Sequence, residues 1–192
     1  MTKPSSTFYR LLILVPAGLF GYLALASVSA PIFEELKVYS ISNFLYRSLS
    51  HICHQFPSRS IWIMKRPMGL CSRCFAIYAL FAAFLILPTF SKSNNKTKNL
   101  IAVLLFVPVI VDGSLQYFHL RESSNLMRII SGGMFGLGGA IIYKYLSFEL
   151  TATIARTYHD RSPPNISNLL KILTNIVIIS IINLYAIIAV LL

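Results

Sequence analysis

LLILVPAGLFGYLALASVSA, residues 11–30, is a run of twenty residues without a charge, preceded by Lys3 and Arg10. As a helix it has the length of a bilayer core, roughly 30 Å. Small residues at Val28 and Ala30 also give it the look of a signal peptide, but Pro31 in the next position makes a poor cleavage site. The run therefore reads as a retained first transmembrane span.

The rest of the chain agrees with that reading. Of 192 residues, 56% are hydrophobic and 12% charged, against about 25% charged in a soluble domain. The mean hydropathy is +0.69. Further apolar runs at 70–87, 100–118, 129–146 and 172–192 bring the expected spans to five. The fold class is all-α membrane protein, a single integral domain over residues 1–192. Residues 31–50 are mixed, and Leu36, Tyr39, Phe44, Leu45 and Leu49 partly follow helical spacing, as in an amphipathic helix at the interface.

The net charge of +11 comes without a nucleic-acid recognition motif. Basic loops that set topology and meet anionic headgroups explain it, so the expected partner is the lipid bilayer and not nucleic acid. Lysine and arginine divide almost evenly between the two faces. The short loop holding Lys92, Lys96 and Lys98 carries no acid, and short loops weigh most in orientation. The expectation is a cytoplasmic N terminus and a C terminus outside.

Between the first two spans lies HICHQFPSRSIWIMKRPMGLCSRCFAIY, residues 51–78, with all three cysteines, two of the four histidines and the only tryptophan. Lipid offers such a polar segment no hydrogen-bond partners, so its presence asks for a function. Cys71 and Cys74 are spaced i, i+3 and share a helical face. Thiolates there are favoured by the helix N terminus. With Cys53 and the imidazoles of His51 and His54, they compose a candidate tetrahedral site for zinc or iron. The same thiols also suit a membrane thiol–disulfide oxidoreductase, in which Cys71 and Cys74 cycle and Cys53 relays. Small apolar fillers of a packing surface are the plainest alternative. Composition does not choose among them.

Asp112 and Gln116 stand i, i+4 near the end of the third span, where an ionisable group is costly and by default functional. They are the catalytic candidates, with neutralisation of Asp112 by Arg121 or Arg128 as the structural alternative. Arg121, Asn125 and Arg128, facing Arg59, Arg66 and Arg73, would form a cationic bowl for an anionic, lipid-like ligand. All of these fall at one face of the membrane. The fourth span carries Gly132, Gly133, Gly136, Gly138 and Gly139. That pattern serves close helix packing, or docking of a membrane protein partner if the chain is a helper subunit. No phosphate loop, GxSxG or HExxH motif is present.

Cys53-His54-Gln55, Pro57, Arg59-Ser60 and Cys71-Ser72-Arg73-Cys74 with Ile77-Tyr78 resemble the signature of a family of small predicted multi-pass membrane proteins, classed as a domain of unknown function. A second block agrees: Pro108, Asp112-Gly113, Gln116, Arg121-Glu122-Ser123, Asn125, Arg128 and Gly132. Phe75-Ala76 and Ser131-Gly132 stand where relatives commonly carry Thr-Gly. The resemblance implies a membrane location and a shared polar site.

Overall fold

A computed structural model describes residues 6–87, 95–159 and 170–181. The chain is an all-α membrane protein. Among the described residues, three helical segments are long and apolar enough to cross a bilayer: Thr7–Glu35, Leu100–Tyr117 and Asn125–Ala155.

Helix α1 (Ser6–Glu35) runs past the expected end of the first span and contains both Pro16 and Pro31. A proline lacks the N–H that would meet the carbonyl four residues back, so the carbonyls of Leu12 and Ser27 are released. Both are taken up by distant donors. The Tyr143 hydroxyl donates to Leu12 at 2.9 Å, and the Gly69 amide donates to Ser27 at 3.0 Å. Lys37, at φ 61°, ends the helix in a left-handed turn, with the Val38 amide reaching back to Phe33 at 2.9 Å.

Helix α2 (Tyr39–Ser50) then folds back on α1. It buries Leu45 and Leu49 and ties Ser42 Oγ to the Ala30 carbonyl at 3.0 Å. Leu36, Tyr39 and Phe44, expected on the same apolar face, are instead exposed. Twelve residues make only about 18 Å of helix, too short to cross.

Helix α3 (Ser72–Ile86) matches the expected second span but has only 15 residues. Its neighbours are other helices, α1 on one side and α6 (Asn125–His159) on the other. Rings of Phe20, Phe81 and Tyr143 link all three, with centroids 4.8 and 5.9 Å apart. The end of α3 is capped by Lys144, whose Nζ donates to the Leu87 carbonyl at 2.6 Å, a cation where the helix dipole favours one.

The expected third span is two helices in line, α4 (Asn95–Leu104) and α5 (Val107–Tyr117). Pro108 sits in the first turn of α5; it cannot donate into a continuous ladder, so the break falls just before it. Helix α6 extends well beyond the expected 129–146. An apolar helix, α7, covers Leu170–Ile181. The rest of the expected fifth span and the Ser162-Pro163-Pro164-Asn165 breaker lie outside the described residues.

The glycines of α6 explain its approach to α3. A Cβ at Gly132 would stand 2.5 Å from the Arg73 carbonyl oxygen, and one at Gly136 would stand 2.5 Å from that of Ile77. Gly138 faces Ala102 of α4 in the same way, at 2.8 Å. The glycine face is thus packed within the chain, against α3 and α4.

Candidate functional site

The segment joining α2 to α3 has no regular helix beyond a single turn at Pro57–Arg59. It forms a two-residue hairpin, β1 (Trp62–Ile63) against β2 (Arg66–Pro67). Both turn residues, Met64 and Lys65, have positive φ, a conformation that such turns usually reserve for Asn or Gly. Gln55, also left-handed at φ 51°, braces the segment internally. Its Nε2 donates to the carbonyls of Tyr46 and Gly69, each at 2.8 Å. The Tyr46 hydroxyl donates to Pro67 at 2.6 Å. Burial and the Glu34 carboxylate push that phenol up to about 12, against the opposing pull of Arg66.

This bracing delivers Cys53, which follows α2, onto the start of α3. Cys71 is the residue before α3 and Cys74 lies in its first turn. The three Sγ atoms all lie within 4.8 Å of one another, and all three are free thiols. Around a tetrahedral zinc with 2.3 Å bonds, sulfurs would stand roughly 3.8 Å apart, so small rotations would close this set on an ion. The Cys71 amide donates to the Cys53 sulfur at 3.2 Å, a bond that favours negative charge on that sulfur. Cys53 is buried. Hydrogen bonding with the Cys71 sulfur and burial hold its thiol above the usual value, against an opposing contact with Cys74.

The two histidines do not join this group. His51 and His54 are exposed, and His54 stacks on Phe56 with ring centroids 5.7 Å apart. Cys53 is buried while His51 and His54 on either side of it face outward. The expected five-residue set of His51, Cys53, His54, Cys71 and Cys74 is therefore reduced to three sulfurs. Three protein ligands leave a coordination position open.

Arg73, between the two paired cysteines, turns away from them to form an ion pair with Asp112. Asp112 is thus matched by α3, and not by Arg121 or Arg128 as expected. Ser131 Oγ also lies 3.4 Å from the carboxylate. Gln116 sits among three guanidinium groups. Its carboxamide oxygen accepts from Arg73 at 3.3 Å in one orientation. With the amide turned over, it accepts from Arg59 at 3.3 and 3.2 Å and from Arg128 at 3.2 Å. Arg128, itself buried, donates to Asn125 at 2.9 Å, and Asn125 donates to the Ser60 carbonyl at 3.1 Å.

Two members of the expected cationic bowl are elsewhere. Arg66 pairs with Glu34 at 3.1 Å, with the Arg66 side chain half exposed. Arg121 is exposed beside a cavity of about 270 Å³ between α5 and α6, which Asp112 and Ser131 also line. Sequence reasoning missed Gln55 as a brace, although the residue is part of the Cys53-His54-Gln55 motif.

Residues 53–142 match the model of a family described as a predicted membrane protein, DUF2085. An uncharacterized protein of Methanocaldococcus jannaschii is 34% identical over 150 residues, covering 74% of this chain and 94% of the relative. An uncharacterized protein of Methanothermobacter thermautotrophicus is 34% identical over 97 residues, covering 50% of this chain and 87% of that relative. No solved structure matches the chain.

Proposed function

We propose that this chain, which belongs to the DUF2085 family of predicted membrane proteins, is a membrane metal-binding protein. Its ion would be zinc or iron, held by the thiolates of Cys53, Cys71 and Cys74. One observation carries the reading: three sulfurs, two of them 18 and 21 positions from the first, within 4.8 Å of one another. Soft thiolates select such metals. The fourth position is left to water or to a ligand. The same face binds an anionic, lipid-like molecule through Arg59, Arg73 and Arg128, while Asp112 and Gln116 hold those arginines in place and do not transfer protons. With five spans and the N terminus in the cytoplasm, this face lies outside.

The test is metal content of the full chain purified without chelator, measured by elemental mass spectrometry. Stoichiometric zinc or iron is expected in the wild type, with loss in each of Cys53→Ser, Cys71→Ser and Cys74→Ser. Substoichiometric metal in the wild type would sink the reading. The closeness of the three free thiols also supports a thiol–disulfide oxidoreductase. Mass shifts on alkylation separate the two: a Cys71–Cys74 disulfide that cycles with the redox state of the buffer belongs to the oxidoreductase alone.

A further inference from the structure

The arginine cluster is short of one anion. Arg59, Arg73 and Arg128 converge on the neutral carboxamide of Gln116, and Asp112 is the carboxylate paired among them. Three guanidinium groups share the single carboxylate of Asp112, so positive charge is in excess around Gln116. Guanidinium groups brought together around an uncharged amide repel one another, and the burial of Arg128 adds a desolvation cost. Hydrogen bonding is incomplete as well. The Nε donors of Arg73 and Arg128 are buried with no partner, and Arg128 is only 6% exposed. A buried donor left unmade is costly, most of all on a charged group.

From this we infer that the cluster is a binding site for a dianionic phosphate monoester group, with the Gln116 side chain occupying its place in the absence of ligand. The charge suits: a dianion supplies the negative charge that the three guanidinium groups lack. The geometry suits planar guanidinium donors, which bind phosphate oxygens two at a time. Arg59 lies on the exposed loop, its guanidinium 5.1 Å from the Phe56 ring centroid, and provides the way in. The neighbouring cavity between α5 and α6, whose apolar wall includes Val111, Leu115 and Ile130, would take an alkyl chain beside the headgroup. The inference rests on the anionic-ligand half of the proposed function and names its chemistry.

The full chain in maltoside detergent is titrated with inorganic phosphate and with dodecyl phosphate, and followed by calorimetry and thermal unfolding. Dodecyl phosphate is expected to bind and raise the unfolding midpoint. If inorganic phosphate binds as tightly, the site takes free phosphate. If it binds at least tenfold more weakly, the site takes a lipid headgroup. Either result supports the site. Gln116→Glu places a carboxylate at the centre of the cluster. It should raise the ligand-free midpoint and weaken dodecyl phosphate binding at least tenfold. Arg59→Gln, at the end of a single turn and outside the α-helices, should weaken binding similarly without loss of helicity. Absence of binding by both phosphates, or wild-type binding in both variants, overturns the inference. A Cys53→Ser/Cys71→Ser/Cys74→Ser variant that loses metal but still binds dodecyl phosphate supports the site, and keeps this test separate from that of the metal centre.

Discussion

The backbone amide of Cys71 points at the sulfur of Cys53, 3.2 Å away. The bond joins a residue that ends one irregular segment to the residue that begins it, and the brace between them is Gln55. Gln55→Ala should leave all three thiols in the chain yet loosen their spacing. If the thiols hold a metal as proposed, its affinity should fall, since partners that orient the ligands typically contribute about 10- to 100-fold when bonded to them directly and Gln55 acts one step further out. Competition titration against a chromophoric chelator would measure it. An unchanged affinity would mean that the loop holds its shape without Gln55.

Helix approach at Gly132 has no slack. A methyl group there would meet the Arg73 carbonyl, and forced overpacking costs about 1–3 kcal/mol. Gly132→Ala should lower the thermal midpoint in detergent and also displace Arg73 from Asp112. Gly18 supplies the control, since a methyl group there would meet no atom within 4 Å. Gly18→Ala should be neutral or slightly stabilising.

The Arg73–Asp112 pair predicts a non-additive double substitution. Asp112→Asn removes the paired carboxylate from a set of three arginines and should destabilise by about 2 kcal/mol, the scale of a charged hydrogen bond lost in a partly buried site. Arg73→Gln should cost a similar amount. The double variant should lose less than the sum of the two, because each single change leaves an unpaired charge behind. Equal and additive losses in unfolding experiments would refute the pairing.

Pro31 makes a prediction about a distant amide. Pro31→Ala restores an N–H that competes for the Ser27 carbonyl, the acceptor now used by Gly69. The helix itself should gain, since an interior proline costs about 3 kcal/mol. The Gly69 amide should nonetheless exchange its hydrogen faster. Unaltered protection at Gly69 would show that Ser27 accommodates both donors.

How much of this was legible in the sequence depended on the kind of signal. The uncharged run at 11–30 and the glycines of 132–139 announce spans and close packing through composition alone, and both stand. Cys71 and Cys74 announced themselves through helical spacing, and their meeting with Cys53 was an expectation that the geometry meets. His51 and His54 misled because nearness along the chain does not fix which way a side chain faces: both are exposed while Cys53 between them is buried. The hairpin at 62–67 was invisible: Met64-Lys65 carries none of the residues that mark such a turn. The partner of Asp112 was illegible for another reason. Charge pairing between helices depends on how each is rotated about its axis, and spacing within one helix does not fix that.

The two halves of the polar face differ in how much chain each must wait for. Every sulfur comes from positions 53–74, so the thiol group can assemble once α3 has emerged from the ribosome. The arginine cluster needs α5 and the first turn of α6, contacts that reach 39 residues from Arg73 to Asp112 and 65 from Ser60 to Asn125. Closing longer loops is slower. The three sulfurs thus meet through short loops, whereas the arginine cluster forms only through contacts between helices far apart along the chain.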